Sequence, residues 1–215
     1  MKKIRINGEA ALIFALMILA FGMVFTIKAN LGMTVVQAPV YVLSEALTFI
    51  SIGVWNFIIQ SMLFIVMLLI VKRFKISYIF SFIAGFVYGG MLDLFVYLLK
   101  DVSADGLVAR ILFYIIGFTT AVTAVALFFT CKAPLMPYDI FIREITEAKK
   151  IKFMKFKWIF DIVCVLTALT LSLTLTKGII GVGVGTLIFA VLISPIATAL
   201  MKIINKHIEF HSLFK

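Results

Sequence analysis

Apolar residues along this chain collect in six long stretches, roughly 10–27, 49–71, 76–99, 107–131, 158–176 and 178–201. Each is near the about 20 residues that a helix needs to cross about 30 Å of hydrocarbon at 1.5 Å per residue. No alternation of period two runs through them, so a barrel is not indicated. Backbone polar groups in hydrocarbon must be satisfied within their own segment, which makes these runs helices. Two segments break the pattern. Residues 32–48 carry Pro39 and Glu45, and residues 132–157 hold Asp139, Arg143, Glu144 and Glu147. The second is too charged to cross a bilayer, and both are predicted as short interfacial or re-entrant helices. The expected fold class is therefore an all-α polytopic membrane protein with six transmembrane helices.

Composition agrees with that pattern. Apolar residues make up 64% of the 215 and charged ones 14%. Soluble domains average about 45–50% and about 25%. A globule of this size exposes too much surface for its mass to hide such a surplus. The partner that most of this surface calls for is the lipid bilayer.

The net charge of +10 sits in clusters between the apolar runs, where it fits anionic headgroups at a cytoplasmic face. It does not form the single basic face of a nucleic-acid binder, so no nucleic-acid partner is expected. With six crossings and the N-terminus inside, four of the 20 basic residues fall outside: Lys28, Lys100, Arg110 and Lys177. The others fall inside, including Lys72, Arg73, Lys75 and the run from Arg143 to Lys157. A seventh crossing at 32–48 would move the Lys72–Lys75 cluster outside. The positive-inside bias thus favours six spans with both termini cytoplasmic. The first stretch is read as a spanning helix and not as a cleaved signal: Glu9 interrupts its start, and about 18 apolar residues exceed the usual signal core.

A repeat supports the same count. Phe25–Leu31 reads FTIKANL and Phe129–Leu135 reads FTCKAPL, five identities of seven at an offset of 104. Trp55, Phe57 and Ile59 match Trp158, Phe160 and Ile162 at an offset of 103, and the third spans share Gly85 and Gly185. The units are repeat one, 8–99, and repeat two, 107–201, followed by a cytoplasmic tail, 202–215. An odd number of spans in each unit places the copies in opposite orientations. Inverted three-plus-three repeats recur in secondary transporters, with the site near the midplane.

With these residues in view, the chain resembles the YitT/YczE family of bacterial membrane proteins. The likeness rests on the K-A-x-L-x-x-x-P-type stretches and on GVGVGTLIFAVLISPI, Gly181–Ile196. The length and the lack of a soluble C-terminal domain resemble the shorter YczE branch. The first copy, KANLGMTVVQAP, departs from the second: Pro39 comes late, and Val35 stands where the second has Asp139. The resemblance implies a permease-like protein of a bacterial inner membrane and no substrate.

Ionisable groups inside a membrane are costly, so they are candidates for substrate binding or coupling. Asp93 lies within the third span, beside Gly89 and Gly90; the structural alternative is a cap near the outer interface. Asp161 sits one turn into span five, near Lys155 and Lys157, where a headgroup-level ion pair is the plainer reading. Lys28 and Lys132 are related by the repeat, as substrate partners or as snorkelling lysines. Asp139 follows Pro137 and suits the first turn of a short helix, where a carboxylate complements the dipole. Gln37 is a neutral hydrogen-bonding candidate. Cys131 and Cys164 read as apolar filler, and GVGVG as a tight packing site, since no strand–helix unit surrounds it. His207 and His211, four apart, are too few for a metal site. No P-loop, nucleophile–base set or acidic metal pair appears, so neither an enzyme, a cofactor nor a catalytic residue is expected.

The expected function is small-solute transport of the secondary type, by alternating access and with the substrate unidentified. Two rivals stand. One is the substrate-binding subunit of an energy-coupling-factor importer, for which Ala11 and Ala15 would form an A-x-x-x-A docking face. The other is a non-transporting accessory membrane protein. A homodimer is compatible with each reading.

Overall fold

A computed structural model describes residues 4–131 and 136–211. Among these residues the chain forms eight helices: α1 Gly8–Ala29, α2 Gln37–Ala46, α3 Ile52–Val71, α4 Ser77–Leu98, α5 Gly106–Thr130, α6 Pro137–Lys149, α7 Phe153–Leu171 and α8 Val184–His207. Six of them are long and apolar enough to cross a membrane: α1, α3, α4, α5, α7 and α8. The two segments expected as short helices are α2 and α6. The protein is thus a multi-pass helical membrane protein.

Local chemistry sets the ends. Asn7 caps α1 through a bond from Glu9 N (2.9 Å), and Ser51 caps α3 by accepting from Val54 N (3.3 Å). Helices α3 and α6 stop at Lys72 and Lys150, both left-handed in φ, and Lys177 closes the stretch after α7 in the same way. Helix α7 runs on into a π-helical turn, Ser172–Thr176. Buried Ser172 satisfies the irregular backbone that follows, donating to Gly178 O (2.5 Å) and accepting from Ile180 N (2.8 Å).

Three expected boundaries need correction. The fifth span begins at Phe153, not 158. The sixth helix starts at Val184 and runs to His207, six residues beyond both expected limits, because Gly178–Gly183 is irregular. The presumed tail continues as a strand. Ile208–His211 pairs in parallel with Ile4–Asn7, so both described ends of the chain lie on one side of the bundle. His211 is therefore on that strand while His207 ends α8, and the two do not share a helix face.

Helices α1 and α5 form the central pair, the most extensive helix contact. They approach at Gly22 and Gly117: a Cβ on Gly22 would collide with the Thr120 side chain, and one on Gly117 would lie 2.5 Å from Thr26 Cγ2. Helix α4 packs on α1, and α8 packs on α5. The GVGVG run is a packing site as expected. A Cβ on Gly183 would lie 2.5 Å from Leu31 O, and one on Gly185 would lie 2.5 Å from Tyr114 Cε2. The short helices cross over between halves: α6 packs on α3 and α2 on α7, while each also touches the long helix that follows it.

Candidate functional site

The geometry of α3 against α4 is best followed from one end to the other. Asp93 on α4 reaches the start of α3, accepting from Ser51 Oγ (2.6 Å) and Gly53 N (2.8 Å). Next, Gly53 and Gly89 bring the two backbones together; a Cβ on Gly89 would stand 2.7 Å from Gly53 O. One turn on comes a polar layer, then the aromatic pair Phe64 and Tyr78. Beyond the far end of α3, Lys75 meets Glu144 of α6.

The polar layer is the candidate site. Asn56 and Gln60 are four apart on α3, so they share one face, and both are buried. Gln37, at the start of α2, donates from Nε2 to Asn56 Oδ1 (3.0 Å) and to Tyr88 Oη on α4 (3.4 Å). Gln60 Oε1 lies by Gly85 and Pro137: a Cβ at Gly85 would be 3.2 Å from the first and 3.1 Å from the proline Cγ. Gln60 is the ninth residue of α3, about 12 Å from its start at 1.5 Å per residue. That depth is close to the middle of the span.

Both short helices therefore begin deep and run to opposite ends of α3. Helix α2 starts at Gln37 beside Asn56 and ends just before α3 begins. Helix α6 starts at Pro137 beside Gln60 and carries Glu144 out to Lys75. The layer is incompletely satisfied. Gln37 Oε1, Asn56 Nδ2 and Gln60 Oε1 are closed off from solvent and have no hydrogen-bond partner among the described residues. An unpaired buried polar group costs about 1–3 kcal/mol, so three in one place call for an explanation.

A second, ionisable group forms where α6 meets α7. Lys157 pairs with Asp161 (2.6 Å). Asp139, in the first turn of α6 as expected, makes no hydrogen bond among the described residues. Burial pushes its carboxyl up to about 7, and the charge of Lys157 only partly offsets this. Burial also raises the neighbouring Tyr138 hydroxyl, reinforced by the charges of Asp139 and Asp161. At the end of α6, burial opposes ionisation of Glu144, but both its oxygens accept from Lys75 Nζ (2.7 and 2.8 Å). That pairing holds its carboxyl below the ordinary range.

The sequence candidates divide accordingly. Gln37 lies in the polar layer. Asp139 and Asp161 share the α6–α7 cluster, with Asp161 in the ion pair that the plainer reading expected. Asp93 sits at the N-terminus of α3 and acts there as a cap. Its glycine neighbours separate: Gly89 is in the helix contact, whereas Gly90 meets nothing within 4 Å. Lys28 ends α1, where a cation complements the dipole, and makes no ion pair among the described residues. Lys132 lies outside the described residues. Ala11 and Ala15 are both buried within the chain, so the A-x-x-x-A stripe is not an open docking face. Asn56, Gln60 and Tyr88 escaped the sequence reading. The signal for Asn56 and Gln60 was present in NFIIQ, two amides at helical spacing within an apolar run, and none marked Tyr88.

The chain belongs to the family of unknown function DUF6198, which matches residues 6–202. No curated protein and no solved structure matches it.

Proposed function

We propose that this member of the DUF6198 family is a small-solute transporter of the secondary type, working by alternating access. The observation that carries the proposal is the layer of Gln37, Asn56, Gln60 and Tyr88, neutral and under-bonded at mid-depth of the bundle. Polar groups that serve only to glue helices together normally find partners. Groups left open at the depth where two short helices begin match the layout of transporter sites.

The packing pattern supports an inverted repeat within this reading. Exchanging α1–α4 for α5–α8 converts the α1–α4 contact into α5–α8, α3–α6 into α7–α2, and α2–α3 into α6–α7, and all of these contacts are present, whereas the α3–α4 contact has no counterpart of comparable extent between α7 and α8. With the basic residues placed inside, both termini face the cytoplasm. The π-helical turn after α7 packs on α2, and such turns often mark places where a helix gives way. Kinship with the YitT/YczE proteins belongs to the same proposal, on the K-A-x-L stretches and the glycine-rich run Gly181–Ile196. The rival reading as a docking subunit keeps no exposed A-x-x-x-A face to rest on.

The test needs no substrate. Gln60→Cys is placed in a protein whose Cys131 and Cys164 are serine, and membrane-impermeant thiol reagents are applied from each face in turn. Alternating access expects labelling from both faces. A folded protein in which position 60 reacts from neither face would overturn the transporter reading.

A further inference from the structure

We infer that the solute recognised at the polar layer is uncharged and of amide type, a carbonyl flanked by N–H. This rests on the transporter reading above and names the class of ligand for the same site.

The groups left open define the complement. Gln37 Oε1 and Gln60 Oε1 accept only, and Asn56 Nδ2 donates only. Two acceptors ask for N–H donors, and the amide nitrogen asks for a carbonyl oxygen. One planar amide or ureide carries both kinds of group on a few atoms. Gln37 is held in place for this role, since its Nε2 is engaged by both Asn56 and Tyr88. The oxygen of Gln37 and the nitrogen of Asn56 are therefore the ends left for a ligand.

Charge is selected against on three counts. Among the described residues, no ionisable side chain other than Tyr88 is hydrogen-bonded or ion-paired to any of the four. A charge buried without a countercharge is far more costly than a buried amide. Nor do the two helix starts offer an anion cradle. The first amides of α2, Gln37 N and Ala38 N, already donate to Thr34 O (3.0 and 3.1 Å). Helix α6 opens with Pro137, which has no N–H, and places the Asp139 carboxyl in its first turn. A cation fares no better among groups that offer it two amide oxygens and no formal charge. Because no solvent reaches the three open atoms, a solute meets them only when α2 or α6 moves away from α3 and α4.

Three planar isosteres test the inference: acetamide, acetate and acetamidinium, differing mainly in charge. Each is added to the purified full-length protein in detergent, and the melting temperature is followed with concentration, since a ligand bound only by the folded state raises it. Acetamide should stabilise the wild type, and the two ions should not. In Gln60→Leu the apparent affinity for acetamide should fall about tenfold, the equivalent of about 1.4 kcal/mol. The unliganded melting temperature of that variant should not fall, because Gln60 makes no hydrogen bond among the described residues. Stabilisation by acetate or acetamidinium that Gln60→Leu abolishes would overturn the class and leave the transporter reading standing. No stabilisation by acetamide, or stabilisation indifferent to Gln60→Leu, would overturn the assignment. Two-sided labelling of Gln60→Cys then reports separately whether the transporter reading holds.

Discussion

The polar groups that meet inside residues 8–99 are neutral, whereas those inside residues 107–201 are ionisable. The first half contributes Gln37, Asn56, Gln60 and Tyr88, and keeps its Asp93 at a helix end. The second contributes Asp139, Lys157 and Asp161. Packing differs as well. Helices α3 and α4 lie backbone to backbone at Gly53 and Gly89, while α7 and α8 make no contact of comparable extent. A neutral amide is tolerated between close-packed helices at modest cost, but a charge needs a partner or a route to water. On the transporter reading the halves divide the labour: the first holds the solute, and the second holds the groups that respond to pH.

The largest expected effect tests that contrast in charge. Burial holds the Asp139 carboxyl at about 7, above an unfolded value of about 3.9. A raised carboxyl is disfavoured once ionised in the folded state. The penalty is absent below about pH 4, grows as pH rises towards 7 and is complete above it. Asn does not titrate. Wild type and Asp139→Asn should therefore melt alike relative to each other at low pH and diverge as pH rises. The variant becomes the more stable by on the order of 4 kcal/mol at pH 8, at 1.36 kcal/mol per unit. Parallel melting curves from pH 4 to 8 would show that the second half is no more pH-sensitive than the first.

Packing is tested next. Gly53→Ala places a methyl group against Gly89 O and the Asp93 carboxylate, and overpacking of this kind costs about 1–3 kcal/mol. Ala190→Leu on the exposed face of α8 should stay within about 0.5 kcal/mol. Equal losses in thermal stability would mean that the α8 face is covered, as a second copy of the chain would cover it. Lys75→Met should exceed Ala190→Leu as well, at about 1–3 kcal/mol, because it leaves the buried Glu144 carboxylate without its cation. That loss should shrink as acid protonates Glu144; a loss unchanged by acid would remove the ion pair as its cause.

How much of this was legible follows from what each signal depends on. The six spans are a property of local composition, and they appear where the apolar runs are. Helix α6 announced itself through Pro137, Asp139 and its charges. Helix α2 was less plain, since Val36–Val42 is nearly as apolar as a span, and only Pro39, Glu45 and the charge bias spoke against a crossing. The start of α8 was missed because the irregular Gly178–Gly183 stretch is apolar and reads as helix. The site was half legible. Ionisable residues drew attention because charge in a membrane is rare, yet Asp93 proves to cap α3 through a loop 40 residues away in sequence. Asn56 and Gln60 were passed over because neutral amides stand out less, and their convergence with Gln37 depends on a fold that places α2 against α3.

Asp93 gives the smallest effect expected at a polar contact and the sharpest separation of cap from site. Its carboxylate accepts from Ser51 Oγ and Gly53 N, at the positive end of the α3 dipole. Asn at this position keeps one acceptor and loses the charge, so α3 stays capped but less well. Loss of a helix cap costs about 1 kcal/mol. Asp93→Asn should therefore melt slightly lower than wild type, and its response to acetamide should be unchanged, because the polar layer begins one turn further along α3. Ser51→Ala should reproduce the small loss of stability, since it removes the other half of the same cap. A ligand-binding site that included Asp93 would behave in the opposite way, keeping its melting temperature and losing its ligand response. That outcome would move a charge into the first half of the molecule and end the division between a neutral half and an ionisable one.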